Sequence, residues 1–116
     1  MKILITGALG HIGSYLINEL VKIKNIKKIY LIDNISNQRF PVIFRLKNKK
    51  VHFIYGDLTS EKIINKIPKT NIVIHLASIT DAEGSFNIKQ KIFKNNIGSF
   101  KNILKYCLKY KSKLIH

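Results

Sequence analysis

Two periods alternate along this chain. Short apolar, β-branched runs lie at 2–6, 28–32, 51–55, 71–76 and 113–116. Runs of this length and composition, bounded by Gly, Asp, Asn or Ser, read as buried parallel strands. Between them the apolar positions recur every three or four residues, the spacing of an amphipathic helix. Ile12, Leu16, Leu20 and Ile23 predict a helix over 11–24, closed by Asn25 and the lysines around it. A shorter helix is predicted over 60–67, ended by Pro68, and a long one over 86–110. Ile97, Phe100, Leu104 and Cys107, with Ile103 and Leu108, form the expected apolar stripe of the long helix. Residues 35–50 read as a basic connecting loop, with a short helix around 42–46 that Pro41 would start. Strands alternating with helices predict an α/β fold with a parallel sheet, in one domain over 1–116.

The first strand runs into Thr6-Gly7-Ala8-Leu9-Gly10-His11-Ile12-Gly13 and then into a helix. That context, strand then glycine turn then helix, is the one a dinucleotide fingerprint requires. Gly7 would let the chain leave the strand through a conformation closed to a residue with a Cβ. Gly10 would leave the backbone bare for a pyrophosphate, and Gly13 would allow close packing of the helix. The free amides and positive dipole end of the helix, at His11 and Ile12, would then face the phosphates. The plainer reading is a glycine-rich turn that binds nothing.

Later strand ends add to the dinucleotide reading. Asp33-Asn34 closes the second strand, twenty residues past Gly13. An acidic residue there can accept bonds from both ribose hydroxyls and repels a 2′-phosphate, which favours NAD over NADP. Arg39 is the one feature that argues the other way. Gly56-Asp57-Leu58 follows the third strand, where Asp57 is placed to accept from an adenine amino group. Thr59 and Ser60 are good helix caps in their own right, which leaves Asp57 freer for a ligand. Ala77 and Ser78, just after Leu76 at the fourth strand's end, are small enough for a cofactor to cross beside Leu76. His75, within that strand, reads as satisfied by neighbouring backbone rather than as a general base. Asn95 and Asn96 lie mid-helix, where Asn is a poor helix former, and one of them could reach the site. Asp81 and Glu83 lack metal-ligand spacing and read as loop solvation or as helix N-terminal charge.

Composition narrows the classes. The chain has 116 residues, 46% of them hydrophobic, which suits a globular domain. No apolar run approaches the ~20 residues of a membrane span. Cys107 is the single cysteine and lies on an apolar helix face, so a cytoplasmic setting is the default and a reactive thiol is not expected. The net charge is +15, and only Arg39 and Arg45 among the 21 basic residues are arginine. Lysine spreads over nearly every segment, which reads as compositional bias on solvated faces rather than a nucleic-acid site.

Together these motifs resemble the extended short-chain dehydrogenase/reductase group, and within it the NAD-dependent epimerase/dehydratase family that acts on nucleotide sugars. The resemblance rests on residues 6–13, Asp33-Asn34, Gly56-Asp57-Leu58, His75-Leu76-Ala77-Ser78, and the helix segment 96–104, which is similar to the family's N-V-x-G-T-x-N-V-L. Ser99 and Phe100 stand where that pattern has Gly and Thr. Asn96 matches the cofactor-side Asn, and a one-residue offset would make it Asn95.

The resemblance implies a Rossmann-type doubly wound sheet of strand order 3-2-1-4-5, truncated after the fifth strand, with bound NAD as redox partner. It implies a nucleotide-sugar substrate and a homodimer for the full-length protein. It also implies a Ser or Thr after the fifth strand and a Tyr-x-x-x-Lys pair. Neither is here: Tyr15, Tyr30, Tyr55, Tyr106 and Tyr110 are followed at that offset by Glu19, Asn34, Thr59, Tyr110 and Leu114. Catalytic residues are therefore expected beyond His116. The 116 residues alone are expected to be inactive, marginally stable and weak in NAD binding. Two competing readings are a non-catalytic dinucleotide-sensing protein and a basic polyanion-binding module.

Overall fold

The computed structural model describes residues 1–36, 47–79 and 86–116. The helix expected at 42–46 lies outside these, as do Arg39, Arg45, Asp81 and Glu83. In chain order the elements are β1 (Lys2–Thr6), α1 (His11–Leu20), β2 (Lys28–Asp33), β3 (Val51–Tyr55), a 3₁₀ helix (Glu61–Lys66), β4 (Ile72–His75), α2 (Phe86–Tyr110) and β5 (Lys113–Ile115).

The five strands form one sheet in the order β3-β2-β1-β4-β5, all neighbours parallel. This is the expected order. Period-2 alternation divides each strand between two faces. Ile3, Ile5, Ile29 and Leu31 face Ile17 of α1 and Ile26. Leu4, Tyr30, Ile32 and Val73 face Ile103 and Tyr106 of α2 and the 3₁₀ residues Ile63 and Ile64. Helices thus cover both faces, as a doubly wound sheet requires.

Both helical stripes are met in part: Leu16 and Leu20 pack on the core from α1, and Ile103 and Cys107 are buried in α2. In α1 the buried residues are Gly13 and Ile17, while Ile12 is 69% and Ile23 46% exposed. Gly13 sets this rotation: a Cβ there would stand 2.5 Å from the Ala8 carbonyl oxygen, so the helix approaches along its glycine line. α1 also ends at Leu20, short of residue 24. Its last turns close with three-residue bonds from Lys22 N to Glu19 O and from Ile23 N to Leu20 O. The Lys50 ammonium, from the far end of the β2–β3 connection, donates to Val21 O and Ile23 O and satisfies two carbonyls there.

In α2 the buried line is Ser99, Asn102, Ile103, Tyr106 and Cys107. Ile97, Leu104 and Leu108, expected in the core, are exposed. Polar bonds fix the helix rotation. Asn102 donates to Leu58 O at 2.7 Å, and the Tyr106 hydroxyl lies 2.6 Å from Pro68 O and 2.9 Å from Thr70 Oγ1. Burial raises the pKa of both Tyr106 and Cys107, so the thiol is held protonated in the core.

Candidate functional site

The site forms along the carboxyl edge of the sheet, where β1 and β4 diverge into opposite crossovers. Gly7 leaves β1 with φ +63°, and its amide donates to Ile32 O at 3.0 Å. A Cβ on Gly7 would meet Ala77 backbone at 2.7 Å. Gly7 therefore answers two demands, a left-handed turn and contact with the β4 exit. Gly10 N donates to Gly7 O and closes the turn. Gly10 is also the N-cap of α1 and offers no side-chain cap, so the helix start stays open toward the cleft.

The Thr6 hydroxyl ties this turn to β4. Its Oγ1 lies 2.7 Å from His75 Nδ1 and accepts from Ala77 N at 3.3 Å. Thr6 and His75 are both buried, so the hydroxyl and the ring nitrogen satisfy one another inside the core. Burial, with the charge of His116 second, pushes the His75 pKa down to about 4. The ring stacks on His116 at 5.4 Å and tilts against Phe100 at 5.8 Å. His75 is satisfied, as expected, but by a side chain rather than by backbone.

The two carboxylates are busier than anticipated. Asp33 accepts from Leu9 N at Oδ2 (3.0 Å) and from Ile35 N at Oδ1 (2.8 Å), which locks the glycine turn to the end of β2. Asn34 Oδ1 accepts from Ser36 N. Asp57 Oδ1 accepts from both the amide and the hydroxyl of Thr59, at 2.9 and 2.7 Å. Ser60, at the N-cap of the 3₁₀ helix, makes no side-chain cap bond. The expectation that Thr59 and Ser60 would cap in place of Asp57 is thus reversed. A short carboxylate two residues before an amide closes an Asx turn more readily than a hydroxyl does. Asp57 also lines the cleft.

Two adjoining cavities share Gly7, Gly10, Leu76, Ala77 and Ser78 as their common wall. One, of about 120 Å³, is lined further by Asp33, Asn34, Asp57 and Leu58. The other, of about 450 Å³, opens over His11, Ile12 and Gly13 and reaches His75 and His116. The glycines, both carboxylates and the small residues after β4 are thereby brought into one cleft. Asn96 is the exception. Asn95 lines the cleft, whereas Asn96 turns to Ile79, accepting from its amide at 2.9 Å and donating to its carbonyl at 3.1 Å. Adjacent helical residues point about 100° apart, so the pair cannot share a direction. Ser99, one turn beyond Asn95, also lines the cleft. Its i, i+4 spacing from Asn95 on the helix is the signal in the sequence that places the two on one face. No group of three or more metal-ligating side chains occurs among the described residues.

Comparison with known proteins decides the family. Residues 4–115 match the model of the 3-beta hydroxysteroid dehydrogenase/isomerase family, within the NAD-dependent epimerase/dehydratase group. The chain belongs to this family. Bifunctional protein GAL10 of Candida maltosa is 31% identical over 111 residues, covering 90% of this chain and 71% of that protein. dTDP-D-glucose 4,6-dehydratase of Dictyostelium discoideum is 36% identical over 121 residues, covering 97% of this chain and 27% of that enzyme. Among solved structures, UDP-glucuronic acid 4-epimerase from Bacillus cereus in complex with NAD superposes with a TM-score of 0.81 at 32% identity, over 100% of this chain and 39% of that one. This epimerase/dehydratase chain thus spans about a quarter of the dehydratase and two fifths of the solved epimerase. No helix among its described residues is long and apolar enough to cross a membrane.

Proposed function

We propose that the chain is the NAD-binding portion of a nucleotide-sugar epimerase or dehydratase. The carrying observation is the continuous cleft from Asp33 and Asp57, past the Gly7–Gly10 turn, to His75 and His116. Its length and polarity fit a dinucleotide. Each Asp33 oxygen accepts one backbone amide and retains a lone pair for a ribose hydroxyl. The same negative charge disfavours a 2′-phosphate. Asp57 Oδ2 is positioned for an adenine amino group, and Asn95 and Ser99 supply polar contacts from α2. The open start of α1 at Gly10, His11 and Ile12 receives the pyrophosphate. Thr6 and His75 hold Leu76 and Ala77 as the floor over which the second nucleotide lies.

The chemistry that NAD supplies when bound is reversible acceptance of a hydride from a sugar carbon. This chain binds and orients; it contains no Tyr followed by Lys at the fourth residue to move the sugar's proton. Sugar nucleotides are the substrates named for its relatives, which supports the same class here. Phe93, Ile97, Leu104 and Leu108 form one exposed apolar face of α2, which supports a homodimer through that helix. The single, buried Cys107 suits a cytoplasmic setting.

Calorimetric titration with NAD and NADP tests the reading. NAD is expected to bind, and NADP to bind at least about tenfold more weakly, a difference of 1.4 kcal/mol. Equal affinity for both, or none for either by a chain with an intact circular dichroism spectrum, would refute it.

A further inference from the structure

The parallel arrangement puts all five strand starts along one edge, opposite the cleft. Backbone bonds lace that edge: Ile29 N to Lys50 O, Asn71 N to Lys2 O, and Lys113 N to Asn71 O. Lysine occupies it throughout. Lys2, Lys28 and Lys113 begin their strands, Lys50 immediately precedes β3, and Lys69 lies just before β4. The connections leaving the other edge differ. Residues 7–10, 34–36, 56–60 and 76–79 contain no lysine and one aspartate, Asp57, with Asp33 closing β2 just before them. A compositional excess of lysine would load both edges, and this one is one-sided.

One register pairing sets two of these charges side by side. Lys2 and Lys28 are direct register partners in adjacent strands, about 4.8 Å apart along the sheet, and both are exposed. Like charges placed directly across from one another repel. Neither has a carboxylate partner among the described residues, where the ion pairs are Lys22–Glu19 and Lys105–Glu61. Two exposed apolar side chains, Met1 and Ile23, sit among these cations. Residues 21–28, 47–51, 66–72 and 111–113 offer no aromatic ring on which a base could stack.

We propose that this edge docks the protein on an anionic phospholipid surface. Lysine is a compact point charge suited to many phosphates rather than to one read in a fixed geometry. Met1 and Ile23 supply apolar groups that enter the headgroup boundary. Docking by this edge turns the cleft away from the membrane and leaves it open to water.

The test is sedimentation with phosphatidylserine–phosphatidylcholine vesicles against pure phosphatidylcholine. An edge variant carries Lys2→Gln, Lys28→Gln, Lys69→Gln and Lys113→Gln. A control of equal charge carries Lys89→Gln, Lys91→Gln, Lys94→Gln and Lys101→Gln on α2. The wild-type chain is expected to bind only the anionic vesicles. Each edge lysine contributes about a fivefold factor in partitioning, so the edge variant is expected to lose two to three orders of magnitude. The control is expected to lose much less. Relief of the Lys2–Lys28 repulsion keeps the edge variant folded, with a thermal midpoint no lower than wild type. Equal losses in both variants would overturn the proposal in favour of unspecific charge. Edge-dependent binding to a DNA duplex with none to vesicles would overturn it in favour of nucleic acid.

Discussion

Replacing Thr6 with valine removes one oxygen and leaves the shape of the side chain unchanged. Thr6 is fully buried between the glycine turn and β4, so no cavity forms and no strand propensity is lost. What disappears is the 2.7 Å bond to His75 Nδ1 and the 3.3 Å bond from Ala77 N. His75 is itself buried, so its Nδ1 is left without a partner, at about 1–3 kcal/mol. The longer bond to half-buried Ala77 adds little, and the valine methyl recovers some desolvation. The net loss is about 2 kcal/mol, a large share of the roughly 5–15 kcal/mol that holds a domain folded. Urea unfolding followed by far-ultraviolet circular dichroism reads this as a lower midpoint at an unchanged slope. A double-mutant cycle with His75→Phe isolates the pair, with an expected coupling of about 1 kcal/mol. A Thr6→Val chain within about 0.5 kcal/mol of wild type, or an equal loss in the His75→Phe background, would refute the argument.

Three further outcomes follow from the same geometry. His75 has a folded pKa of about 4 against an ordinary 6.5, so the neutral ring is the one the fold holds. Stability is complete above about pH 6.5 and falls as pH drops toward 4, by about 3 kcal/mol in all; urea midpoints across that range check it, and His75→Phe should flatten the profile. Gly7→Ala combines a left-handed φ with a Cβ against Ala77 backbone, so thermal melting should show a loss of at least about 2 kcal/mol together with loss of NAD binding. Asn95→Ala should weaken NAD binding in calorimetry with little change in stability, whereas Asn96→Ala should release Ile79 and lower stability first; the opposite pattern would exchange their roles.

The resemblance to the epimerase/dehydratase family covered nearly all of the cleft-lining residues because their roles are local. A glycine that must adopt positive φ, or an acidic residue just past a strand, acts within a few residues of its own position in the chain. Which side chains pair across the fold was not legible. Lys50 capping α1 spans 27 and 29 residues, and Asn102 reaching Leu58 O spans 44. Periodicity placed only part of each helical stripe: Leu16, Leu20, Ile103 and Cys107 reach the core, but Ile12, Ile97, Leu104 and Leu108 are apolar yet exposed. Apolar spacing shows that a helix has a face to bury. The rotation is then set by where the backbones approach, at Gly13 on Ala8, and by where buried polar groups find partners, at Asn102 and Tyr106.

The sequence by itself determined the alternation of strands and helices, the strand order through its resemblance, and the placing of both aspartates at strand ends. Only the tertiary structure decided that Asn95 rather than Asn96 faces the cleft, and that Thr6 pairs with His75. It alone gathered lysines from the starts of five strands onto one edge. Burial and hydrogen-bond satisfaction depend on neighbours distant in the chain, and those are set only when the sheet closes over both faces.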